Sequence, residues 1–160
     1  LMTHGTVHIG IITGSSGILC HTERIAGFTD TLRSVRDRMH IVSVVETQDD
    51  EIESYEQTSR LLKAHPEINA LFFAAGGVYG GCRAAASLGL AGRLCAIAFD
   101  KADTTEHFLR QSVLSAVICQ QPRIQGRKPL DLLFAYLTSG ELPEKEYNYT
   151  AVDIRILENI

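Results

Sequence analysis

Polar side chains follow three apolar runs of this sequence, and they are the residues best suited to bind a small molecule. Asp100 and Gln120 come directly after runs that are too apolar for a solvent-facing strand, and Arg24 follows the apolar run Val7–Thr13. Ligands bind at the carboxyl ends of the strands in open parallel sheets. A polar group at such an end is therefore either a helix cap or a ligand contact.

Arg24 lies in the first turn of a predicted helix, where a cation is unfavourably placed relative to the helix dipole. Its planar guanidinium suits paired hydrogen bonds to adjacent hydroxyls or to a carboxylate. An ion pair with Glu23 or Asp100 is equally compatible with the sequence, and Asp100 could equally cap the helix that follows it. The residues alone leave the ligand-binding and structural roles evenly balanced.

Two glycine-rich segments also follow predicted strands. Gly-Ser-Ser-Gly at 14–17 leads into a helix, where backbone amides can hold a phosphate. Neither GxGxxG nor GxxxxGK[ST] is present, so a plain turn is favoured there. Gly76 and Gly77, with Gly80 and Gly81 soon after, let the backbone approach a ligand, a helix or a partner subunit closely. Packing explains this second segment at least as well as binding does.

Catalytic motifs are not found. Neither HExxH nor GxSxG occurs, and none of the six histidines stands beside a credible nucleophile in a motif, so we expect them at the surface or in turns. The four cysteines match neither a zinc-binding spacing nor a CxxC pair. The sequence therefore predicts a protein that is not an enzyme and needs no metal or other cofactor.

The composition restricts the partners. A net charge of −4 and a pI near 5.8 argue against this chain itself binding a phosphate backbone. No apolar run approaches the roughly 18 residues of a membrane span, and the first residues lack the features of a signal peptide. These absences, together with cysteines whose spacings match no known pairing motif, predict a cytoplasmic protein with no membrane partner.

Strand-like apolar runs alternate with helical periodicity along the 160 residues, which predicts an α/β fold with a mostly parallel sheet. The predicted strands cover 7–13, 41–46, 70–75, 94–100, 114–120 and 147–157, the last as an edge strand. The predicted helices cover 21–38, the segment between Asp50 and Pro66, 78–88, 104–110 with Asp103 and Thr104 as candidate caps, and a segment opened by Pro122. In this fifth helix, residues 130–137 are apolar around nearly the whole circumference, which predicts burial on two sides. Pro129 should kink that helix or mark its true start.

Five segments resemble, in order and approximate spacing, the C-terminal lobe of the type 1 periplasmic-binding fold, as found in LacI-type regulators and in sugar-binding proteins of ABC transporters. They are residues 9–14 (Ile-Gly-Ile-Ile-Thr-Gly), 23–28 (Glu-Arg-Ile-Ala-Gly-Phe), 65–73, 98–100 (Ala-Phe-Asp) and 120–126. The resemblance implies a Rossmann-like three-layer αβα lobe over residues 1–160, which is half of a bilobed domain. It also implies ligand contacts at Arg24, Asp100 and Gln120. Gly76 and Gly77 stand where many relatives carry an Asn-Asp pair, which leaves space for a larger ligand or lets backbone groups make the contact.

From this resemblance we expect a non-enzymatic effector-binding lobe of a LacI-type transcription regulator, with a small sugar as effector. DNA would then be bound only through a headpiece outside this chain, and the protein would be a homodimer. Residues 122–140 are expected to form a crossover helix that packs on the other lobe or on a second copy of the chain. Two alternatives stay open: a solute-binding component of a sugar ABC transporter, and a nucleotide-dependent enzyme on a Rossmann-like sheet.

Overall fold

Strands and helices alternate along the chain in the predicted order. The computed structural model describes residues 5–33 and 38–160. The strands are β1 (Val7–Thr13), β2 (Met39–Glu46), β3 (Ala70–Phe73), β4 (Cys95–Phe99), β5 (Ala116–Gln120) and β6 (Val152–Arg155), and the helices are α1 (Leu19–Leu32), α2 (Glu51–Ala64), α3 (Val78–Ser87), α4 (Asp103–Arg110) and α5 (Pro122–Ser139). A short 3-10 helix, Leu157–Asn159, follows β6. Residues 34–37, which belong to the predicted first helix, lie outside the described residues. The histidine at position 4 lies outside them as well.

The six strands form one sheet in the order β2-β1-β3-β4-β5-β6. The first five strands are parallel to one another, with a helix between each consecutive pair. β6 is antiparallel and adds to the free edge of β5, where Val152 pairs with Gln120. This topology confirms the predicted Rossmann-like, mostly parallel sheet, and it brings the carboxyl ends of β1 to β5 to one edge.

Helices cover both faces of the sheet. Successive side chains of a strand point to opposite faces, so the apolar strands feed two cores. On one face, Ile11 belongs to a cluster with Leu32 of α1. On the other face, Ile12 belongs to a cluster with Leu61 of α2 and Phe108 of α4. The result is the predicted three-layer αβα lobe.

Two glycines let α3 pack closely against its neighbours. A Cβ atom on Gly80 would collide with the backbone carbonyl of Glu51 in α2, and one on Gly81 would collide with the ring of Phe73 in β3. Close packing is therefore the role of this second glycine pair.

The ends of several elements differ from the prediction. α1 begins at Leu19 rather than at His21. The last strand covers only Val152–Arg155 of the predicted 147–157. α5 runs from Pro122 through Pro129 without a break, so the proline does not mark the start of the helix.

The cap of α4 is also different from the prediction. The N-cap residue is Ala102, not Asp103 or Thr104, and its side chain offers no cap. Instead, the backbone N–H of Ala102 donates to the Thr105 hydroxyl at 2.8 Å. The start of α4 is thus held by a residue inside the helix.

One face of α5 lies open to solvent. No side chain of this helix is buried. Leu130, Leu133, Phe134 and Leu137, which we call the α5 apolar face, are 67%, 53%, 70% and 72% exposed, and their spacing places them on one side of the helix. The described chain therefore does not supply the burial that the sequence predicts for α5. α5 is the longest helix, yet no helix in the described ranges has the length and apolarity needed to cross a membrane.

Candidate functional site

One edge of the sheet brings together the carboxyl ends of five neighbouring strands. Because β1 to β5 are parallel, the residues that end or follow them lie along the same edge. In strand order these are Asp49, Gly14, Gly76, Asp100 and Gln120. We call them, together with Arg24, the carboxyl edge.

Arg24 reaches this edge from α1. Its Nη1 atom donates to the carbonyl oxygen of Ala74, just after β3, at 2.9 Å. Its guanidinium lies 4.1 Å from the ring centroid of Phe99, the last residue of β4, a cation–π geometry. Two contacts from adjacent strands therefore fix the position of the guanidinium.

The ion pairs that the sequence allowed for Arg24 do not form. Among the described residues, no carboxylate lies within 4.0 Å of its nitrogens, so neither Glu23 nor Asp100 is its partner. The bond to Ala74 uses one of the five N–H donors of a guanidinium. The other donors make no hydrogen bond to a described residue and are available to a bound molecule.

Asp100 and Gln120 are brought into direct contact. Gln120 Nε2 donates to Asp100 Oδ1 at 2.9 Å. Asp100 does not cap α4, since the backbone of Ala102 and the hydroxyl of Thr105 close that helix. Its φ of 66° lies in the left-handed region, which a non-glycine residue adopts at an energetic cost. Of the two roles that the sequence left open for Asp100, the cap is excluded.

Asp49 also belongs to the carboxyl edge, and the sequence analysis missed it. Its Oδ1 atom accepts the backbone N–H of Gly76 at 2.7 Å. A Cβ atom on Gly76 would lie 2.8 Å from the same oxygen, and one on Gly14 would also collide with the carboxylate. The two bare glycines therefore leave the space that the Asp49 carboxylate fills. The signal was the acidic pair Asp49-Asp50, three residues after the end of a predicted strand, which we interpreted only as the start of the second helix.

His21 approaches Asp49 from α1. Contrary to the expected surface position, His21 is only 7% exposed. Its Nδ1 atom accepts the backbone N–H of Ser15 at 3.2 Å, so the ring carries its proton on Nε2. Nε2 lies 3.9 Å from Asp49 Oδ2, which is too far for a direct hydrogen bond.

The two glycines predicted to bind ligand have backbone groups that are already in use. The N–H of Gly76 binds Asp49, and the carbonyl of Gly77 accepts the Ser54 hydroxyl at 2.6 Å. Gly77 has a φ of 78° as the N-cap of α3, a conformation that favours glycine. Ligand contact by this pair stays a prediction, and a Cβ atom at either position would collide with the side chain of Asp49 or of Ser54.

The loop at 14–17 is closed by its own neighbours. The N–H of Ser15 binds His21, and that of Gly17 binds the Ser15 hydroxyl at 3.2 Å. Interactions with the hydroxyl and the backbone N–H of Ser16 hold the pKa of the Glu46 carboxyl below its usual range. Amides that are already bonded, beside a carboxylate, do not form a phosphate site.

One of the comparisons with known proteins identifies a family. A model of the family described as periplasmic binding protein domain matches residues 2–142. A search of curated proteins found no significant match.

Solved structures share the fold. A glucose-galactose binding protein from Geobacillus stearothermophilus is 23% identical, with a TM-score of 0.89 over 98% of this chain and 55% of its own. An ABC transporter solute-binding protein from Burkholderia graminis, in complex with D-arabinose, is 24% identical, with a TM-score of 0.89 over 97% of this chain and 54% of its own. Another, from Agrobacterium vitis with bound D-fucose, is 26% identical, with a TM-score of 0.86 over 97% and 53%. This chain spans about half the length of these structures.

The comparisons contradict the expected LacI-type regulator. The three structures named above are sugar-binding and transporter solute-binding proteins, and none of them is described as a DNA-binding regulator. The motifs that suggested a regulator lie on the lobe shared by both classes, so they could not separate them. The expected homodimer and DNA partner find no support, and the cytoplasmic location stays a prediction.

Proposed function

The chain belongs to the periplasmic binding protein domain family, and on that premise we propose that it forms one ligand-binding face of a solute-binding protein for a sugar. The observation that carries the proposal is the pairing of hydrogen-bond donors and acceptors at the carboxyl edge. Arg24 offers N–H donors that bond to no described residue, and the second carboxylate oxygen of Asp100, Oδ2, can accept a hydrogen bond. A sugar hydroxyl both donates and accepts, so it matches this combination.

The proposed activity is binding without chemistry. No residue of the carboxyl edge is paired as a nucleophile with a base, and the family is one of binding domains. The closed loop at 14–17 and the Glu46 carboxylate beside it weigh against the nucleotide-dependent enzyme. D-arabinose and D-fucose are the ligands of two structural neighbours, which makes monosaccharides the first ligands to test.

We further propose that the α5 apolar face packs on a second lobe of the complete protein. The face is exposed along its length, and the structural neighbours are about twice as long as this chain. A ligand held between two lobes would draw only part of its contacts from this one. Tight binding then requires the complete protein.

The test is calorimetric titration of the full-length protein with D-arabinose, D-fucose, D-glucose and D-galactose, followed by Arg24→Ala and Asp100→Ala. Each substitution should weaken binding at least about tenfold, because it removes a charged partner of a sugar hydroxyl. Arg60→Ala is the matched control, since Arg60 pairs only with Glu56 on the exposed face of α2. Affinities of both edge variants within about threefold of the wild type, roughly 0.6 kcal/mol, would contradict the assignment. Stabilisation by ATP or NAD alone would favour the nucleotide-dependent enzyme.

A further inference from the structure

We infer that Asp49 is a direct ligand contact, whose carboxylate accepts a hydrogen bond from a hydroxyl of the bound sugar. The inference rests on the proposed function, and it extends the binding surface from β4 and β5 to the other half of the carboxyl edge. Arg24, Asp100 and Gln120 serve only the half formed by β3, β4 and β5.

The middle of the edge has glycine at the two positions that face Asp49. β1 and β3 are neighbours in the sheet; Gly14 directly follows β1, and Gly76 follows β3 after two alanines. A side chain at either position would collide with the Asp49 carboxylate. The polar group for these two strand ends is therefore supplied from the loop after β2.

The carboxylate is both held and accessible. Oδ1 is fixed by the N–H of Gly76 at 2.7 Å, and the side chain is 38% exposed. Oδ2 makes no hydrogen bond to any residue in the described ranges. A fixed carboxylate with one unused oxygen is an acceptor already oriented before the ligand binds, which lowers the entropy cost of binding.

His21 faces the unused oxygen without occupying it. Because Nδ1 accepts from Ser15, the Nε2–H of a neutral ring points toward this side of the site, and the 3.9 Å separation leaves Oδ2 free to accept from another donor. His21 therefore does not neutralise Asp49 through a direct bond.

The fold of the loop does not depend on the Asp49 carboxylate alone. Thr47 binds the Thr13 carbonyl through its backbone N–H at 2.8 Å and through its hydroxyl at 3.1 Å. Asp50 caps α2 by accepting the N–H groups of Ile52 and Glu53 at 2.9 Å and 2.8 Å. With the loop anchored on both sides of Asp49, removing the charge should leave the backbone in place.

The experiment compares Asp49→Asn with Asp50→Asn in the full-length protein. Asparagine at 49 keeps an oxygen for Gly76 and turns the unused oxygen into a donor. Asparagine at 50 makes the same change of charge one residue away and still caps the helix. The titrant is whichever of D-arabinose, D-fucose, D-glucose and D-galactose binds the wild type most tightly, together with its monodeoxy analogues. Thermal unfolding checks that both variants are folded.

We expect Asp49→Asn to weaken binding about tenfold and Asp50→Asn to change it less than about twofold. One monodeoxy analogue should bind the wild type and Asp49→Asn with equal affinity, because it lacks the hydroxyl that donates a hydrogen bond to the carboxylate. This coupling separates a contact from a change in loop structure.

Three results overturn the inference. If Asp49→Asn binds the parent sugar as the wild type does, or if every analogue is weakened by the same factor in that variant, Asp49 is structural while the sugar-binding function stands. If no sugar binds the wild type, the proposed function fails, and the role of Asp49 fails with it.

Discussion

At the scale of single residues, contacts between side chain and backbone decide which polar groups remain free for a ligand. Arg24 and Asp100 each satisfy one bond within the lobe and keep further donor or acceptor capacity. Gly76 and Gly77, by contrast, have no side chain, and each has one backbone group already bonded, to Asp49 and to Ser54. Positions that look equally promising in the sequence thus differ in the bonding groups that they can offer a ligand.

Two cysteines should differ in reactivity for a similar reason. Burial raises the pKa of the Cys82 thiol, and the charge of Glu51 raises it further, whereas Cys20 is exposed. We expect iodoacetamide at pH 8 to modify Cys20 in the native protein and to reach Cys82 only after unfolding. Peptide mass spectrometry over time measures both rates, and equal rates would contradict the buried position.

The same shift has a consequence for stability. Because the pKa of Cys82 is raised in the folded state, the unfolded thiol ionises first as the pH rises. The contribution of Cys82 to the free energy of unfolding is therefore fully present below the ordinary thiol pKa of 9.0 and is lost progressively above it. Stability measured by urea unfolding should therefore fall above pH 9, and it should fall less steeply in Cys82→Ala.

The residues of the site were predictable where strand ends determine them. Asp100 and Gln120 directly follow or end apolar strands, and parallel strands must bring these ends together. Asp49 was not predictable in this way, because its role depends on missing side chains on two other strands, Gly14 and Gly76. Only the assembled sheet shows that the three positions meet.

At the scale of the helices and strands, caps explain which boundaries the sequence predicts. Asp50 accepts two backbone N–H groups at the start of α2, and Pro66 follows its end, so this helix was placed correctly. α1 starts after Ile18, whose side chain makes no cap, and its start was misplaced by two residues. The final strand is short because it is paired only along residues 117–120 of the short strand β5.

The contact between α2 and α3 gives a test of element packing. Gly80→Ala places a methyl group against the carbonyl of Glu51, a backbone atom that cannot turn away. We expect a loss of about 1–3 kcal/mol in the free energy of unfolding. Gly27→Ala in α1 is the matched control, since no atom lies within 4 Å of its Cβ position. It should stabilise the protein by about 0.5–1 kcal/mol.

Chemical denaturation with a two-state fit measures both values. If the Gly80→Ala protein were as stable as the Gly27→Ala protein, that result would contradict the close approach of α2 and α3. Equal slopes against denaturant concentration would show that the unfolded states are comparable.

At the scale of the whole molecule, the α5 apolar face should distinguish the isolated chain from the complete protein. In the isolated 160-residue chain, amides of α5 should exchange hydrogen much faster than those of α2, because none of its side chains is buried. In the full-length protein they should become protected. Hydrogen exchange with mass spectrometry measures both.

Light scattering on the same samples identifies what covers the face. Protection of α5 in the isolated chain together with a dimeric mass would mean that a second copy covers it. A monomer with fast exchange in both proteins would contradict packing on a second lobe.

The fold could be predicted at this scale, while the function class could not. The alternation of apolar runs fixes a parallel sheet with helices on both faces, and the structure has that architecture. The motifs that carry the resemblance lie on a lobe that regulators and transporter components share, so the proposed contacts Arg24 and Asp100 do not distinguish the two classes. The residues that separate the two classes are not those of the sheet edge.

The pairing of β5 with β6 ties α5 to Gln120 and Asp100 at the carboxyl edge. Residues 121–151 leave the sheet after Gln120 and return at Val152, and these two residues are partners in the same ladder. A rotation of α5 relative to the sheet would therefore twist the backbone next to the pair Gln120 and Val152. The side chain of Gln120 holds Asp100, so such a rotation would also shift Asp100. If Asp100 contacts the ligand as proposed, the orientation of α5 and the affinity for the ligand are coupled, and by the reciprocity of linkage ligand binding would favour one orientation of α5.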